Sequence, residues 1–236
     1  MSAPRVLVII PAHDEQESLP GTLDEVRAAA PLLDVLVVDD GSRDATARVA
    51  RERGTRVLLL PFNLGVGGAL QTGFRWAVEH GYDVGVQLDA DGQHDPAYLP
   101  ALLEPVLSGR CDVSIGSRYV RRSGYRAPVA RRVGMVLFSS LVSAVLHTRI
   151  TDTTSGFRAY ARRAMVVCQH DFPKDFPDAP LLIRLGRCGF RLEEVPVEMR
   201  GRRAGRSFYT LGKSLYYPYK NLLASLMALL QRPAQP

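Results

Sequence analysis

The chain alternates short apolar runs with helical stretches, and this rhythm limits its folds more than any other feature. After Arg5, every residue from Val6 to Ile10 is apolar, and Pro11 closes the run. A strand without polar alternation fits the interior of a parallel sheet buried on both faces. Gln16 to Ala30 then places Leu19, Leu23 and Val26 on one helical face. Leu33 to Val38 reads as a second buried strand. Asp44 reads as the cap of a helix over Ala45 to Arg53, stopped by Gly54. Thr55 to Leu60 is a third strand. A glycine-bearing loop, Asn63 to Gly68, leads into a helix ending near Glu79. Tyr82 to Leu88 is a fourth strand, and Asp95-Pro96 opens a helix running to about Leu107. Asp112 to Gly116 completes the pattern.

Strands and helices alternating in this way predict an α/β fold with a parallel, doubly wound sheet. After Ser117 the rhythm breaks. Arg118 to Arg132 is a basic loop, Val133 to Leu146 an apolar helix, and Thr151 to Tyr160 a polar turn. Leu181 to Cys188 reads as a helix, Phe190 to Met199 as a strand and Leu211 to Gln231 as a final helix. No linker or repeat marks a domain boundary, so a single domain is expected.

In an open α/β sheet, ligands bind beyond the carboxyl ends of the strands. The polar residues gather there. His13, Asp14 and Glu15 follow the first strand, Asp39 and Asp40 the second, and Asp89, Asp91 and Gln93 the fourth. Paired carboxylates at a strand end suit a hard divalent cation carrying phosphates. His94 reads as a surface neighbour of that group, and Asp152 as the holder of the following turn. The glycine loop lets a ligand approach the backbone at a helix start. Its spacing and position fit neither the dinucleotide fingerprint nor a P-loop.

The formal charge of +6 favours an anionic partner. Lys occurs only at 174, 213 and 220, so the excess is Arg. Arg suits bidentate phosphate contacts, although an Arg-rich proteome gives the same excess. Cys111, Cys168 and Cys188 are widely spaced and read as buried free thiols of a reducing compartment. No signal peptide is recognisable. The longest uncharged apolar run, Leu222 to Leu230, is far short of the ~20 residues of a helical membrane span.

The segments PAHDE (11–15), VVDDGSRDAT (37–46), NLGVGGA (63–69), QLDADGQHDP (87–96), GSRY (116–119), TSGFRAY (154–160) and EVPVEMRGRRAGRS (194–207) occur in that order. Together they resemble the family 2 glycosyltransferases, and within these the dolichyl- or polyprenyl-phosphate sugar synthases. The resemblance runs from about Val6 to Ser207. It implies a GT-A (Rossmann-like), mostly parallel sheet flanked by helices. A domain over residues 1–210 would comprise a nucleotide-binding half (about 5–117) and an acceptor half (about 118–210), followed by a C-terminal helix at 211–236.

The resemblance also implies roles. Pro11, Ala12 and Glu15 would lie against the nucleoside, with Asp39 and Asp40 reaching its base. Asp89, Asp91 and Gln93 would hold Mg²⁺ or Mn²⁺ and the diphosphate. Arg118 and Arg131 would take the acceptor phosphate, and Arg202 and Ser207 would close over the nucleotide. Asp178 is the candidate base in its segment. The donor would be a GDP-mannose or UDP-glucose type of nucleotide-diphosphate sugar, and the acceptor a polyprenyl phosphate. Nucleic acid is not an expected partner.

The expected product forms with inversion, at the inner face of the cytoplasmic membrane. Basic and aromatic residues ahead of the last apolar run suit a helix lying in the membrane interface. Core packing, a dimer contact or recruitment by a small membrane protein are its alternatives. A saccharide hydroxyl acceptor, a sugar nucleotidyltransferase and a membrane-surface binding protein are the competing functions.

Overall fold

The structure, a computed structural model, describes residues 3–120, 129–173, 178–201 and 211–231. Among the described residues, seven strands form one sheet: β1 (Val6–Ala12), β2 (Asp34–Asp39), β3 (Arg56–Leu59), β4 (Val84–Gln87), β5 (Val113–Ser117), β6 (Arg158–Ala161) and β7 (Leu192–Pro196), in the order β3-β2-β1-β4-β6-β5-β7. β1 pairs in parallel with β2 and β4, and β2 with β3. Their carboxyl ends therefore open on one edge, as the sequence rhythm predicts. β6 runs antiparallel between β4 and β5, so the sheet is mixed.

The helices are α1 (Leu19–Ala29), α2 (Thr46–Glu52), α3 (Gly65–Glu79), α4 (Leu99–Leu107), α5 (Val129–Leu146), α6 (Arg162–Cys168), α7 (Ala179–Arg187) and α8 (Leu211–Leu230). Successive β1 side chains point to opposite faces. Leu7 and Ile9 join one apolar cluster, which holds Phe74 of α3, Met165 of α6 and Leu182 of α7. Val8 and Ile10 join the other, with Leu23 of α1 and Leu102 of α4. The result is three layers with the sheet in the middle, which explains why β1 carries no polar residue.

Several boundaries differ from the pattern reading. α1 starts at Leu19 with Pro20 in its first turn, because proline's fixed φ and missing N–H suit that position. β1 continues through Pro11, which pairs with Val38. Asp95 caps Ala97 N–H at 3.0 Å, but the first turn is a 3₁₀ turn over Pro96–Tyr98. The stretch expected as a polar turn, Thr151 to Tyr160, ends in β6, and α6 behind it is unanticipated. None of the three cysteines is in a disulfide; Cys111 and Cys168 are buried and Cys188 half-buried. Burial pushes the Cys111 thiol up to about 12 and Cys168 further in the same direction, which disfavours the reactive thiolate at both.

Candidate active site

The ends of β1, β2 and β4 bring the first-half candidates together. Asp40 N–H donates to Ala12 O at 2.8 Å, tying the β2 end to the β1 end. Asp39 and Asp40 are both buried. Asp39 Oδ1 accepts from Ser42 N–H at 2.8 Å, while Asp40 Oδ1 accepts from Leu64 N–H at 2.7 Å. Asp40 thus fastens the start of α3 to the strand edge; the stretch expected as a glycine loop, Asn63 to Gly68, is already helical from Gly65. Gly41 turns between them at φ +69, where a Cβ would stand 2.8 Å from the Phe62 carbonyl carbon. Glycine is required there on both counts.

The loop after β1 is laced to the start of α2. Glu15 N–H donates to Thr46 Oγ1 at 2.8 Å, and Ser18 Oγ donates to the Glu15 carboxylate. Asp14, at φ +54, accepts from Arg43 N–H at 2.7 Å. His13 Nδ1 lies 2.9 Å from Asp40 O. Asp44, expected as a helix cap, accepts from Thr46 N–H at 2.8 Å.

Beyond β4 the backbone turns through Gly92, at φ +75. Asp91 is buried and accepts Gln93 N–H at 3.0 Å; the Asp89 side chain is 38% exposed. The two carboxylates differ in this way: one is held in place by the loop and one faces outward. Among the described residues, no group of three or more His, Cys, Asp or Glu side chains forms a metal cage. Two carboxylates and the Gln93 amide still fit Mg²⁺ or Mn²⁺, hard ions that complete their coordination with water and substrate phosphates.

His94 is not the surface neighbour expected from sequence. It is 3% exposed and stacks on Phe157, ring centroids 5.1 Å apart. Asp89 N–H donates to its Nδ1 at 3.1 Å, which leaves Nε2 protonated, 3.6 Å from Asp89 Oδ2. Burial pulls the imidazole down to about 4, against the opposing charge of Asp91. It is therefore neutral at neutral pH and acts as a fixed acceptor behind Asp89.

Gly156 is a second feature the sequence reading missed. A Cβ there would lie 3.0 Å from Asp89 Oδ2 and 3.1 Å from Gln87 Nε2. The turn after Asp152 therefore passes directly against the outward carboxylate.

The second-half candidates are more dispersed. Arg118, expected on the acceptor phosphate, has its guanidinium turned to Asp152 and Thr154, with Nη2 2.7 Å from Thr154 Oγ1. Its first role is to fasten that turn. Asp152 also accepts Thr154 N–H at 3.3 Å, the Asx contact expected of it. Asp178 sits half-buried at the N-cap of α7 without capping it. Arg131 lies on α5, but its side chain is outside the described residues, as are Arg202 and Ser207.

Acidic strand ends converging on one edge of a three-layer α/β sheet mark the place where enzymes of this architecture bind their ligands. The family model described as Glycosyl transferase family 2 matches residues 7–166, and the chain belongs to that family. It is a glycosyltransferase of GT-A fold. The chain is 40% identical over 212 residues to an undecaprenyl-phosphate mannosyltransferase of Micrococcus luteus, covering 86% of each chain. It is 36% identical over 213 residues to a polyprenol monophosphomannose synthase of Mycolicibacterium smegmatis, covering 86% of this chain and 80% of that one. Among solved structures, the glucosyl-3-phosphoglycerate synthase of Mycobacterium tuberculosis with Mn²⁺ and UDP-glucose shares the fold. The TM-score is 0.71 at 22% identity, covering 99% of this chain and 80% of that chain.

Proposed function

We propose that the chain is a metal-dependent, inverting hexosyltransferase that moves a hexose from a nucleotide-diphosphate sugar to a polyprenyl phosphate. The observation that carries the reading is the pairing of a loop-held Asp91 with an outward Asp89, on the edge where Asp40 holds the start of α3. The undecaprenyl phosphate in one relative's name and the polyprenol monophosphomannose in the other's point to the same substrate class. Asp89, Asp91 and Gln93 would hold Mg²⁺ or Mn²⁺, which supplies Lewis-acid stabilisation of the departing nucleoside diphosphate.

Asp39 and Asp40 would orient the base, with Pro11, Ala12 and Glu15 walling the nucleoside. Arg202 and Ser207 would close on the diphosphate. Arg131 would take the acceptor phosphate, with Arg118 shaping the turn beside it. A phosphate acceptor is already ionised near neutral pH, so Asp178 would be needed as a base only for a hydroxyl acceptor.

Among the described residues, no helix is long and apolar enough to cross a membrane. The membrane contact would instead come from α8. Its inward face carries Asn221, Ser225 and Ala228, all buried, whereas Leu222, Leu223, Leu226, Met227 and Leu230 face out. An exposed apolar stripe of this kind suits the membrane interface, where the lipid acceptor resides.

Incubation of the purified protein with radiolabelled GDP-mannose or UDP-glucose, undecaprenyl phosphate and Mn²⁺ tests the reading. An acid-labile, lipid-extractable product is expected, lost with chelator and in Asp91→Ala. Transfer only to saccharide hydroxyls would overturn it, as would pyrophosphate release from a nucleoside triphosphate and a sugar phosphate.

A further inference from the structure

The segment 197–201 is tied to the Asp89–Asp95 loop. Met199 forms an antiparallel bridge with His94, and Arg200 N–H donates to Gln93 O at 2.9 Å. The Arg200 side chain then forks. Nη1 lies 2.8 Å from Glu25 Oε2 on α1, and Nη2 lies 2.7 Å from Asp95 Oδ2 at the end of the loop. A single side chain thus joins three parts of the fold: α1, the 89–95 loop and the 197–201 segment.

We propose that Arg200 is a positioning residue that fixes the Asp89–Asp95 loop to α1 and to the 197–201 segment, so that donor affinity depends on its fork to Glu25 and Asp95. The inference rests on the function proposed above, in which Asp89, Asp91 and Gln93 of that loop serve the metal and the diphosphate. Gln93 is adjacent to the bridge, and its carbonyl oxygen accepts the Arg200 N–H. A fixed loop holds these groups in place before substrate binds, and ordering the site in advance favours binding. Arg200, Glu25 and Asp95 side chains are 39%, 33% and 21% exposed. The fork is therefore open to screening by salt.

The tests are Arg200→Gln, Glu25→Gln and the double variant. Each is assayed for hexose transfer and titrated calorimetrically with GDP and with UDP in the presence of Mn²⁺. We expect Arg200→Gln to raise the donor KM roughly 3- to 10-fold, in line with the loss of two partly exposed ion pairs. Its kcat at saturating donor should change less than twofold.

Glu25→Gln should shift KM in the same direction, and the double variant should add little beyond Arg200→Gln. Arg200→Lys should recover part of the loss, and 0.5 M NaCl should narrow the gap to wild type. A donor KM and nucleotide affinity unchanged in Arg200→Gln would overturn the inference, as would losses that track the melting temperature. Wild-type protein that neither transfers hexose nor binds nucleotide would instead remove the reading on which the inference rests.

Discussion

Asp152 receives both arms of the Arg118 guanidinium, Nε on Oδ2 and Nη2 on Oδ1, each at 2.7 Å, with the aspartate side chain fully buried. Glu194 of β7 accepts the Asp152 N–H at 2.7 Å and the Thr151 N–H at 2.9 Å. The end of β5, the turn at 151–154 and β7 are thereby locked through three side chains. Asp152→Asn keeps the shape but removes the carboxylate charge from beside a guanidinium that is only 12% exposed. Removing one partner of a buried pair costs about 3–5 kcal/mol. In a domain of this size that corresponds to a melting temperature lower by roughly 6–15 °C. Thermal unfolding monitored by circular dichroism measures it.

The same pair predicts an acid dependence. Burial alone would raise the Asp152 carboxyl, but the Arg118 hydrogen bonds and charge, with Thr154, hold it below its ordinary value of 3.8. A carboxyl lowered on folding contributes stability that is fully present above its unfolded value. That contribution is lost as pH falls through the folded one. The stability advantage of wild type over Asp152→Asn should therefore be constant from pH 7 to pH 5 and shrink below 3.8. Denaturant midpoints at matched ionic strength read this directly, and an advantage that grows toward low pH would contradict it.

The strands that carry the nucleotide-half candidates are legible in the sequence because their apolar runs are uninterrupted, as in Val6 to Ile10. Their polar ends follow from the parallel topology, which brings Asp39 and Asp89 to one edge without knowledge of any contact. β6 was not legible. It carries Arg158, which is 1% exposed and donates from Nη2 to Thr153 O at 3.0 Å. A charge inside the sheet defeats an apolar pattern, and only the flanking strands justify it. His94 escaped for a related reason. Its ring stacks on Phe157, which is distant in the chain and lies in the stretch that reads as a polar turn. Arg118 reads in the sequence as a phosphate ligand, because its partner in the fold, Asp152, lies 34 positions away.

Gly156 ties the second half of the chain to the first. A methyl group there would meet Asp89 Oδ2 at 3.0 Å and Oδ1 at 3.3 Å, so the carboxylate must give by a few tenths of an ångström. Asp89 is the outward member of the acidic pair, and in the site proposed above displacing it would alter the oxygens offered to the metal. Gly156→Ala is expected to reduce Mn²⁺-dependent hexose transfer on the order of tenfold, since small misplacements at a reacting centre are amplified in rate. The apparent Mn²⁺ requirement should rise while the melting temperature changes little. A variant with wild-type kinetics would show that Asp89 tolerates the crowding.

Helix α8 reverses the usual placement of polar and apolar residues. Ser225 is fully buried and bonds Asn221 O at 2.7 Å, whereas Leu230 is 85% and Met227 51% exposed. In a helix facing water, large apolar side chains are expected on the buried face. The exposed stripe therefore needs a cover, and a lipid surface would provide one. Leu226→Asp with Met227→Asp places two charges on the exposed face without touching the inward contacts. Sedimentation with vesicles containing phosphatidylglycerol is expected to fall at least fivefold, on the order of the free energy lost with two buried side chains. Transfer to a short, water-soluble isoprenyl phosphate should persist. Undiminished vesicle binding would place the membrane contact elsewhere, and a wild type that dimerises while the double variant does not would assign the stripe to a second copy of the chain.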